Sequence, residues 1–195
     1  MDNIFFDLKR LKHLGVNCII GKTVRIRRPE ETIIEDGTII DDFAYISCPV
    51  EIGKNCHVGS HVSISGGSGR FKMGEYSTIS NHCSVHCASS DYASISLDLP
   101  SVPLEMRFGG ESGEVAIGRY VTVGAHSCIL PGACLPDGSA FGAYSLIRKD
   151  DYKPFGLHIG IPARFLKPRK LPGNASPDIA ALLQSEMKNA DRLTE

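Results

Sequence analysis

Large apolar residues recur at every sixth position over most of this chain, and the spacing resumes after each of two interruptions. Spacing by six scatters residues around an α-helix, whereas it fits a short strand followed by a corner. The pattern therefore predicts a repeated coil of strands. The members of this column are Ile34, Ile40, Ile46, Ile52, Val58 and Ile64, then Met73, Ile79 and Val85, and finally Ile117, Val123, Ile129, Leu135, Phe141 and Ile147.

A second column of small or β-branched residues stands four places after each large residue. Because side chains alternate along a strand, the large residue and the residue two places before it both point inward. Three hexapeptides then form one triangular coil, and successive coils stack about 4.8 Å apart with parallel strands. The members of the second column are Thr38, Ala44, Val50, Cys56, Val62 and Ser68, then Ser77, Cys83 and Ser89, and finally Val121, Ser127, Ala133, Ser139 and Ser145.

The composition narrows the class of protein. A length of 195 residues fits one domain, and a formal charge of −1 gives no electrostatic reason to expect nucleic acid or a membrane surface as a partner. No apolar run approaches the ~20 residues that span a bilayer. Residues 1–14 are too rich in charge for a secretory signal. We therefore expect a cytoplasmic protein.

The seven cysteines are odd in number and include no C-x-x-C pair. This usage indicates neither a disulfide framework nor a zinc ribbon. We expect most of these thiols to fill small positions in the core of a protein kept in a reducing compartment.

The repeat resembles that of the hexapeptide-repeat acyltransferases, whose motif is an aliphatic residue, Gly, two variable residues, a small residue and one more. The resemblance covers residues 16–170 and implies an all-β fold, a left-handed parallel β-helix. It also implies a homotrimer with active sites between subunits. Acetyl-CoA would be the co-substrate and a sugar-like molecule the acceptor, either a sugar or a nucleotide-linked sugar, in polysaccharide or glycan synthesis. Transfer to a hydroxyl and transfer to an amine both remain open.

Residues 90–116 interrupt the repeat with a long loop excursion that carries many apolar side chains, too many for an idle solvated loop. In the family resembled, such a loop reaches the neighbouring subunit. Residues 1–15 and 171–195 flank the repeat, and we expect a short helix in each. An amphipathic pattern over 177–193 and a shorter one over 4–14 would cap the coil or form trimer contacts.

The segment after the last coil points to coenzyme A. Gly160-Ile161-Pro162-Ala163-Arg164 resembles the family signature G-x-P-A-[KR], and Arg148-Lys149-Asp150 resembles its T-K-D step. Basic residues around these motifs form a cluster suited to phosphate groups. Its members are Arg148, Lys149, Lys153, Arg164, Lys167, Arg169 and Lys170. The resemblance adds small residues whose main chain lines the pantetheine channel. The predicted coenzyme-binding residues are Gly124, Ala125, Gly142, Ala143, Lys149, Arg164 and Lys167.

The catalytic base is less clear, because the family usually places a histidine near position 90 or 91, where this chain has none. Ser89-Ser90-Asp91-Tyr92 resembles a histidine-free subset with S-x-D-D-Y, and Val102-Pro103-Leu104-Glu105 resembles its V-P-x-E element. These motifs make Asp91 and Glu105 candidates for the acid–base role. His86 and His82 are the candidate histidines.

The register predicts one more feature. If the break between Ile64 and Met73 is a corner insertion and the excursion replaces no strand, His61, His82 and His126 form a column at one corner. One of them would be a base, or the column would line an acceptor cleft. Alternatively, histidine stands there because corners require left-handed backbone. A metal site would instead favour an enzyme of the gamma-carbonic-anhydrase type, but we expect no metal; a non-catalytic assembly protein is the third alternative.

Overall fold

The computed structural model of the protein describes residues 3–171 and 173–192, and these ranges fold mainly into short strands. The strands before the excursion are β1 (His13–Leu14), β2 (Ile19–Ile20), β3 (Arg25–Ile26), β4 (Thr32–Ile34), β5 (Ile39–Ile40), β6 (Tyr45–Ile46), β7 (Val50–Ile52), β8 (His57–Val58), β9 (Ser63–Ser65), β10 (Arg70–Met73), β11 (Thr78–Ile79) and β12 (Ser84–His86). The later strands are β13 (Ala88–Ser89), β14 (Glu111–Ser112), β15 (Glu114–Ile117), β16 (Thr122–Val123), β17 (Cys128–Ile129), β18 (Cys134–Leu135), β19 (Ala140–Phe141), β20 (Leu146–Ile147), β21 (Gly156–Ile159) and β22 (Arg164–Pro168). Short 3-10 helices span Leu8–Arg10, Pro29–Glu31 and Leu104–Met106, and α1 spans Pro177–Arg192.

The strands form the three faces of a prism, as the six-residue spacing predicts. Sheet A has the order β1-β4-β7-β10-β15-β18, and sheet C, read from the N-terminal end, has the order β3-β6-β9-β12-β17-β20. Sheet B has the order β2-β5-β8-β11-β16-β19-β21-β22, and its last pair is antiparallel while the others are parallel. Ile39 pairs with His57 and Thr122 pairs with Ala140, so these coils each take three hexapeptides.

The predicted columns fill the interior of the prism. Every large member from Ile34 to Ile147 is at most 3% exposed. The second column is also buried except for Ser68 and Ser89. Ser68 belongs to a corner insertion and Ser89 to the excursion, so neither residue lies on a strand whose side chains line the core. Five of the seven thiols are buried, which agrees with the expected core role of cysteine.

The two interruptions leave the stacking of the coils intact. Ile79 pairs with Val58 on one side and with Val123 on the other, so the excursion replaces no strand. The excursion, defined here as residues 88–113, starts and ends with the antiparallel pair β13–β14. The interruption predicted at 90–116 is therefore shifted toward the C-terminus relative to the observed excursion. It starts two residues after Ala88, and it ends after Glu114, where the chain has already rejoined sheet A.

The two ends of the prism are covered differently from the prediction. Near the N-terminus only Leu8–Arg10 is helical, as one 3-10 turn, and the amide of Asn3 donates to the carbonyls of Gly21 and Val24. At the other end, the segment around β21 covers the coil, with Tyr152 packed edge-on against Phe141. The α1 helix is attached to the side of the coil through an ion pair between Glu186 and Arg119 (3.1 Å). The expected roles of this helix, as a cap or in trimer contacts, stay predictions.

The described residues include no helix that is both long and apolar enough to cross a membrane.

Candidate functional site

An aromatic column runs along the corner between sheets B and C. His61, His82 and His126 stack with ring centroids 4.7 Å and 4.9 Å apart, as the register predicts. Phe43 extends the stack below His61 at 4.8 Å, and Tyr144 extends it above His126 at 4.9 Å. All five side chains are exposed and all five residues have φ between 59° and 65°. The corner backbone thus explains part of the preference for histidine, and the stacking orders the rings.

Phe43 and Tyr144 were missed by the sequence analysis, although a signal for them exists. Each stands three places after a large residue of the first column, Ile40 and Phe141, just as each histidine does. The third position after each large residue therefore predicts the whole stack when aromatic residues of every type are included.

Sheet C lies between this column and the excursion. Its outward side chains in the middle coils are Ser63, Ser65, Ser84 and His86, and all four are half-buried. His86 pairs with Ser65 across β12 and β9, and Ser84 pairs with Ser63. His82 stands at one edge of this face, and the chain leaves for the excursion at the other edge, directly after Cys87. The structure therefore brings His82 and His86 to one face.

Asp91 lies in the first part of the excursion. Its carboxylate accepts a hydrogen bond from the N–H of Ala93 (2.8 Å) and another from the hydroxyl of Ser94. These two bonds, the Ser94 bond above all, hold the pKa of Asp91 below its usual range. A carboxylate of lowered pKa is a weaker proton acceptor, but it remains charged and can orient a cationic group.

The excursion is an exposed arm with its own internal bonding. The hydrogen bonds found for residues 90–110, among the residues the structure describes, join positions within the excursion, such as Ser90 to Asp98 and Leu97 to Phe108. Glu105 lies in the 3-10 helix Leu104–Met106, where it is exposed. Its role as a candidate site residue stays a prediction.

The family-like motif after the last coil stacks on the C-terminal end of sheet C. The N–H of Leu146 donates to the carbonyl of Gly160 (3.0 Å), and the N–H of Ala163 donates to the carbonyl of Leu146 (2.8 Å). Gly160 to Ala163 therefore continue the corner that carries Ala125 and Ala143.

The corner N–H groups near this end differ from those of other coils. The N–H of Ser60 is capped by the side-chain oxygen of Asn81 (3.2 Å), one coil further along. The same place above Ala125 holds Ala143, whose side chain has no acceptor. No hydrogen bond of the Ala125 N–H is found among the residues that the structure describes.

Gly124 and Gly142, two of the predicted coenzyme-binding residues, are also explained by the packing between coils. A Cβ at Gly124 would lie 2.4 Å from the nitrogen of Ala143, and one at Gly142 would lie 2.9 Å from the side chain of Ile159. Close stacking of the coils therefore requires glycine at Gly124, where the contact is with backbone, whereas at Gly142 the contact is with a side-chain methyl group that can shift. Neither residue gives evidence for a ligand beyond that.

The cations after the last coil are not all available to an anion. Arg164 forms an ion pair with Asp150 (2.5 Å), which holds the pKa of that carboxyl below its usual range. Arg169 is half-buried and donates to three carbonyls, including that of Gly138 (2.6 Å), so it belongs to the fold. Lys149 and Lys167 are exposed, and no ion pair of either is found among the described residues.

The histidines are not arranged to share a metal. Stacked rings turn their faces toward each other, so their nitrogens do not converge on one point. Within residues 3–171 and 173–192, no group of three or more His, Cys, Asp and Glu side chains is placed to hold a metal ion.

Comparison with known proteins identifies close relatives. A family described as "Bacterial transferase hexapeptide (six repeats)" matches residues 31–66. A dTDP-4-amino-4,6-dideoxy-D-glucose acyltransferase from Escherichia coli is 30% identical over 172 residues, which cover 87% of this chain and 88% of the relative. The match to this relative extends far beyond the group of repeats at residues 31–66.

Solved structures of AntD, an N-acyltransferase from Bacillus cereus, have the same fold. The complex with dTDP and 3-hydroxybutyryl-CoA matches with a TM-score of 0.79 and 27% identity, over 97% of this chain and 99% of AntD. A variant of AntD in complex with dTDP-4-amino-4,6-dideoxyglucose and coenzyme A matches with a TM-score of 0.79 and 27% identity, over 96% and 98%. The coil is therefore the predicted left-handed parallel β-helix.

Proposed function

Since this chain belongs to the hexapeptide-repeat acyltransferases, we propose that it transfers an acyl group from acyl-CoA to the amino group of a nucleotide-linked amino sugar. The observation that carries the proposal is the 30% identity, over 87% of the chain, to an enzyme named for a dTDP-linked 4-amino sugar. AntD, which binds dTDP and coenzyme A, supports the same substrate classes. These relatives favour the amine over the hydroxyl as acceptor.

The reaction joins the amine nitrogen to the thioester carbonyl carbon and breaks the carbon–sulfur bond. The nitrogen loses one proton, and coenzyme A leaves as the thiol. The amine must be neutral to attack, so a group beside it has to accept a proton. Imidazole suits this role near neutral pH, and His86 and His82 border the face where the acceptor would lie.

Asp91 fits a different part in this proposal. Because its pKa is held low by Ser94 and Ala93, it stays a carboxylate and attracts the ammonium form of the acceptor. We assign it to positioning the amino group and assign proton transfer to a histidine. Glu105 would reach the site only from a neighbouring subunit.

The donor would occupy the B/C corner at the C-terminal end. The uncapped N–H of Ala125 points to a hydrogen bond with the thioester or pantetheine chain. Lys149, Lys167 and Arg164 would meet the phosphates, although Arg164 must then share its charge with Asp150. Acetyl-CoA is the predicted donor, and 3-hydroxybutyryl-CoA is the alternative that the AntD complex suggests.

The active form would be a homotrimer in which the excursion packs on a neighbouring subunit. Large apolar side chains of the excursion are exposed in the single chain, including Tyr92 (92%), Ile95 (91%) and Leu104 (77%). Such exposure is typical of a surface that a partner covers. The seven unpaired thiols suit the expected cytoplasmic location, and an acylated nucleotide sugar would serve polysaccharide or glycan synthesis.

The test measures thiol release with dTDP-4-amino-4,6-dideoxyglucose and either acetyl-CoA or 3-hydroxybutyryl-CoA. The matching sugar with a hydroxyl in place of the amine is the control acceptor. We expect turnover with the amine, and we expect the double variant His86→Ala/Asp91→Ala to lower it by about 100-fold or more. Unchanged turnover in that variant would remove both residues from the mechanism, and absence of binding to acyl-CoA and coenzyme A would overturn the function itself.

A further inference from the structure

An arginine pocket lies at the N-terminal end of sheet C, three strands away from the layer of Ser84 and His86. It is a concave surface of about 260 Å³, and its lining includes Phe5, Phe6, Arg10, Arg25 and Arg27. Arg25 lies over the ring of Phe5, with 5.7 Å between the guanidinium carbon and the ring centroid. The remaining lining residues are Ile26 and Pro29, so the pocket wall contains no carboxylate.

The charge of this pocket is not balanced. No ion pair of Arg25 or Arg27 is found among the described residues, and Arg10 meets only the exposed Glu30 at 3.5 Å. A second concave surface, of about 160 Å³ on sheet A, provides the contrast, because there Lys12 and Arg70 face Glu30, Glu31 and Glu51. Within the part of the chain that the structure describes, a protein with a formal charge of −1 thus places two guanidinium groups without an ion pair, those of Arg25 and Arg27, beside that of Arg10.

The pocket shares a face with the candidate site. Arg25 pairs with Tyr45 across β3 and β6, Tyr45 pairs with Ser63, and Ser63 pairs with Ser84. Three steps between strands cover about 14 Å at 4.8 Å per step. A ligand that lies along sheet C can therefore reach both the arginines and the layer of Ser84 and His86.

The two ends of this face have different chemistry. The C-terminal end carries the Gly160 to Ala163 segment and the corner assigned to the acyl donor. The N-terminal end carries three arginines and aromatic rings, which are the groups that bind phosphate oxygens and stack on planar rings. An acceptor with its amine in the middle would then direct its anionic end toward the arginines.

We propose that Arg25 and Arg27 bind the diphosphate of the nucleotide-linked acceptor, with Phe5 and Tyr45 beside its base. The inference rests on the proposed function, and it deepens that function by placing the nucleotide at the N-terminal end of sheet C. Arginine suits a diphosphate because its planar fork donates two parallel hydrogen bonds to oxygens on phosphorus.

The experiment measures binding of thymidine diphosphate, inorganic pyrophosphate and thymidine to the full chain by calorimetry. Arg25→Gln/Arg27→Gln is the test variant, and Arg70→Gln, on sheet A, is the matched control. We expect the test variant to weaken thymidine diphosphate binding by about 30-fold and to leave coenzyme A binding unchanged. The control variant should bind both ligands like the original protein.

The outcomes separate the two proposals. Equal affinity of the test variant and the original protein for thymidine diphosphate would overturn the pocket and leave the transferase function intact. Absence of diphosphate binding alongside normal coenzyme A binding would overturn it as well. If the original protein does not bind coenzyme A, the transferase function is overturned. The titration with thymidine diphosphate would still show whether Arg25 and Arg27 bind a diphosphate. Thermal unfolding of the test variant checks that its fold is retained.

Discussion

Sheet A and sheet C are built from the same hexapeptide, yet their outward faces differ in chemistry. On sheet A, charges pair between neighbouring coils, with Arg70 to Glu51 at 3.3 Å and Lys72 to Glu114 at 3.1 Å. In the middle of sheet C the outward groups are hydroxyls and an imidazole, on Ser63, Ser65, Ser84 and His86. The interior columns behind both faces are equally buried.

This difference between the outward faces shows that the inward residues of the hexapeptide determine the fold, whereas the outward residues can form a binding site. Inward positions must be apolar on every face, because each coil buries its interior against its neighbours. Outward positions are free of that demand. Sheet A uses them for charges that largely neutralise each other. On sheet C, Ser65 donates to the carbonyl of Val85 (3.4 Å), whereas no side-chain hydrogen bond of Ser63, Ser84 or His86 is found among the residues that the structure describes. A polar ligand would therefore bind on sheet C.

The largest effect should come from filling the middle of sheet C. In Ser84→Lys, a long cation occupies the face between His82 and the excursion, so we expect turnover to fall by about 100-fold or more through displaced substrate. Ala116→Lys places the same side chain on an outward position of sheet A and should leave turnover within about twofold. Steady-state thiol release measures both. Equal losses in the two variants would show that the faces do not differ in function.

A smaller effect should separate the two explanations of the aromatic column. Phe43 shows that phenylalanine accepts the left-handed backbone and the stacking at this corner. His82→Phe therefore keeps both and removes only the ring nitrogens. If His82 takes part in proton transfer, kcat should fall by about 10-fold or more while the unfolding midpoint stays within a few degrees.

His61→Phe is the matched control, one coil further from the donor end. It should retain nearly full activity, since His61 stands below the layer of His86. Full activity in both variants would leave the corner backbone as the whole reason for these histidines.

The sequence predicts the interior of this protein well because the reason for it is periodic. Every member of a column such as Ile34 to Ile64 must be buried for the same reason, so the column can be read from the spacing. The same spacing predicts the register of the strands on the two sides of the excursion, as the pairing of Ile79 with Val123 confirms. The position of His82 at an exposed corner follows from the same count. The chemistry of each outward residue has no such period.

Individual side chains show where prediction from the sequence ends. Arg169 belongs to the basic cluster expected to bind phosphates. Its guanidinium instead donates hydrogen bonds to the carbonyls of Tyr120, Gly138 and Ser139. Only the folded chain reveals which carbonyls lie within reach of a given guanidinium group. The lowered pKa of Asp91 likewise depends on the turn that brings Ser94 to it. The roles of Asp91 and Glu105 stay predictions, because the proposed site needs a second subunit.

The smallest effect is expected on sheet A, where it sharpens the contrast between the faces. Glu51→Gln removes the ion pair with Arg70, whose two side chains are each about half exposed. Exposed pairs of this kind contribute about 1 kcal/mol or less, because water and salt screen them. We expect the free energy of unfolding in urea to change by no more than that amount and turnover to stay the same. A large loss of turnover would mean that sheet A also faces a substrate or a subunit, and the functional difference between the two faces would then be wrong.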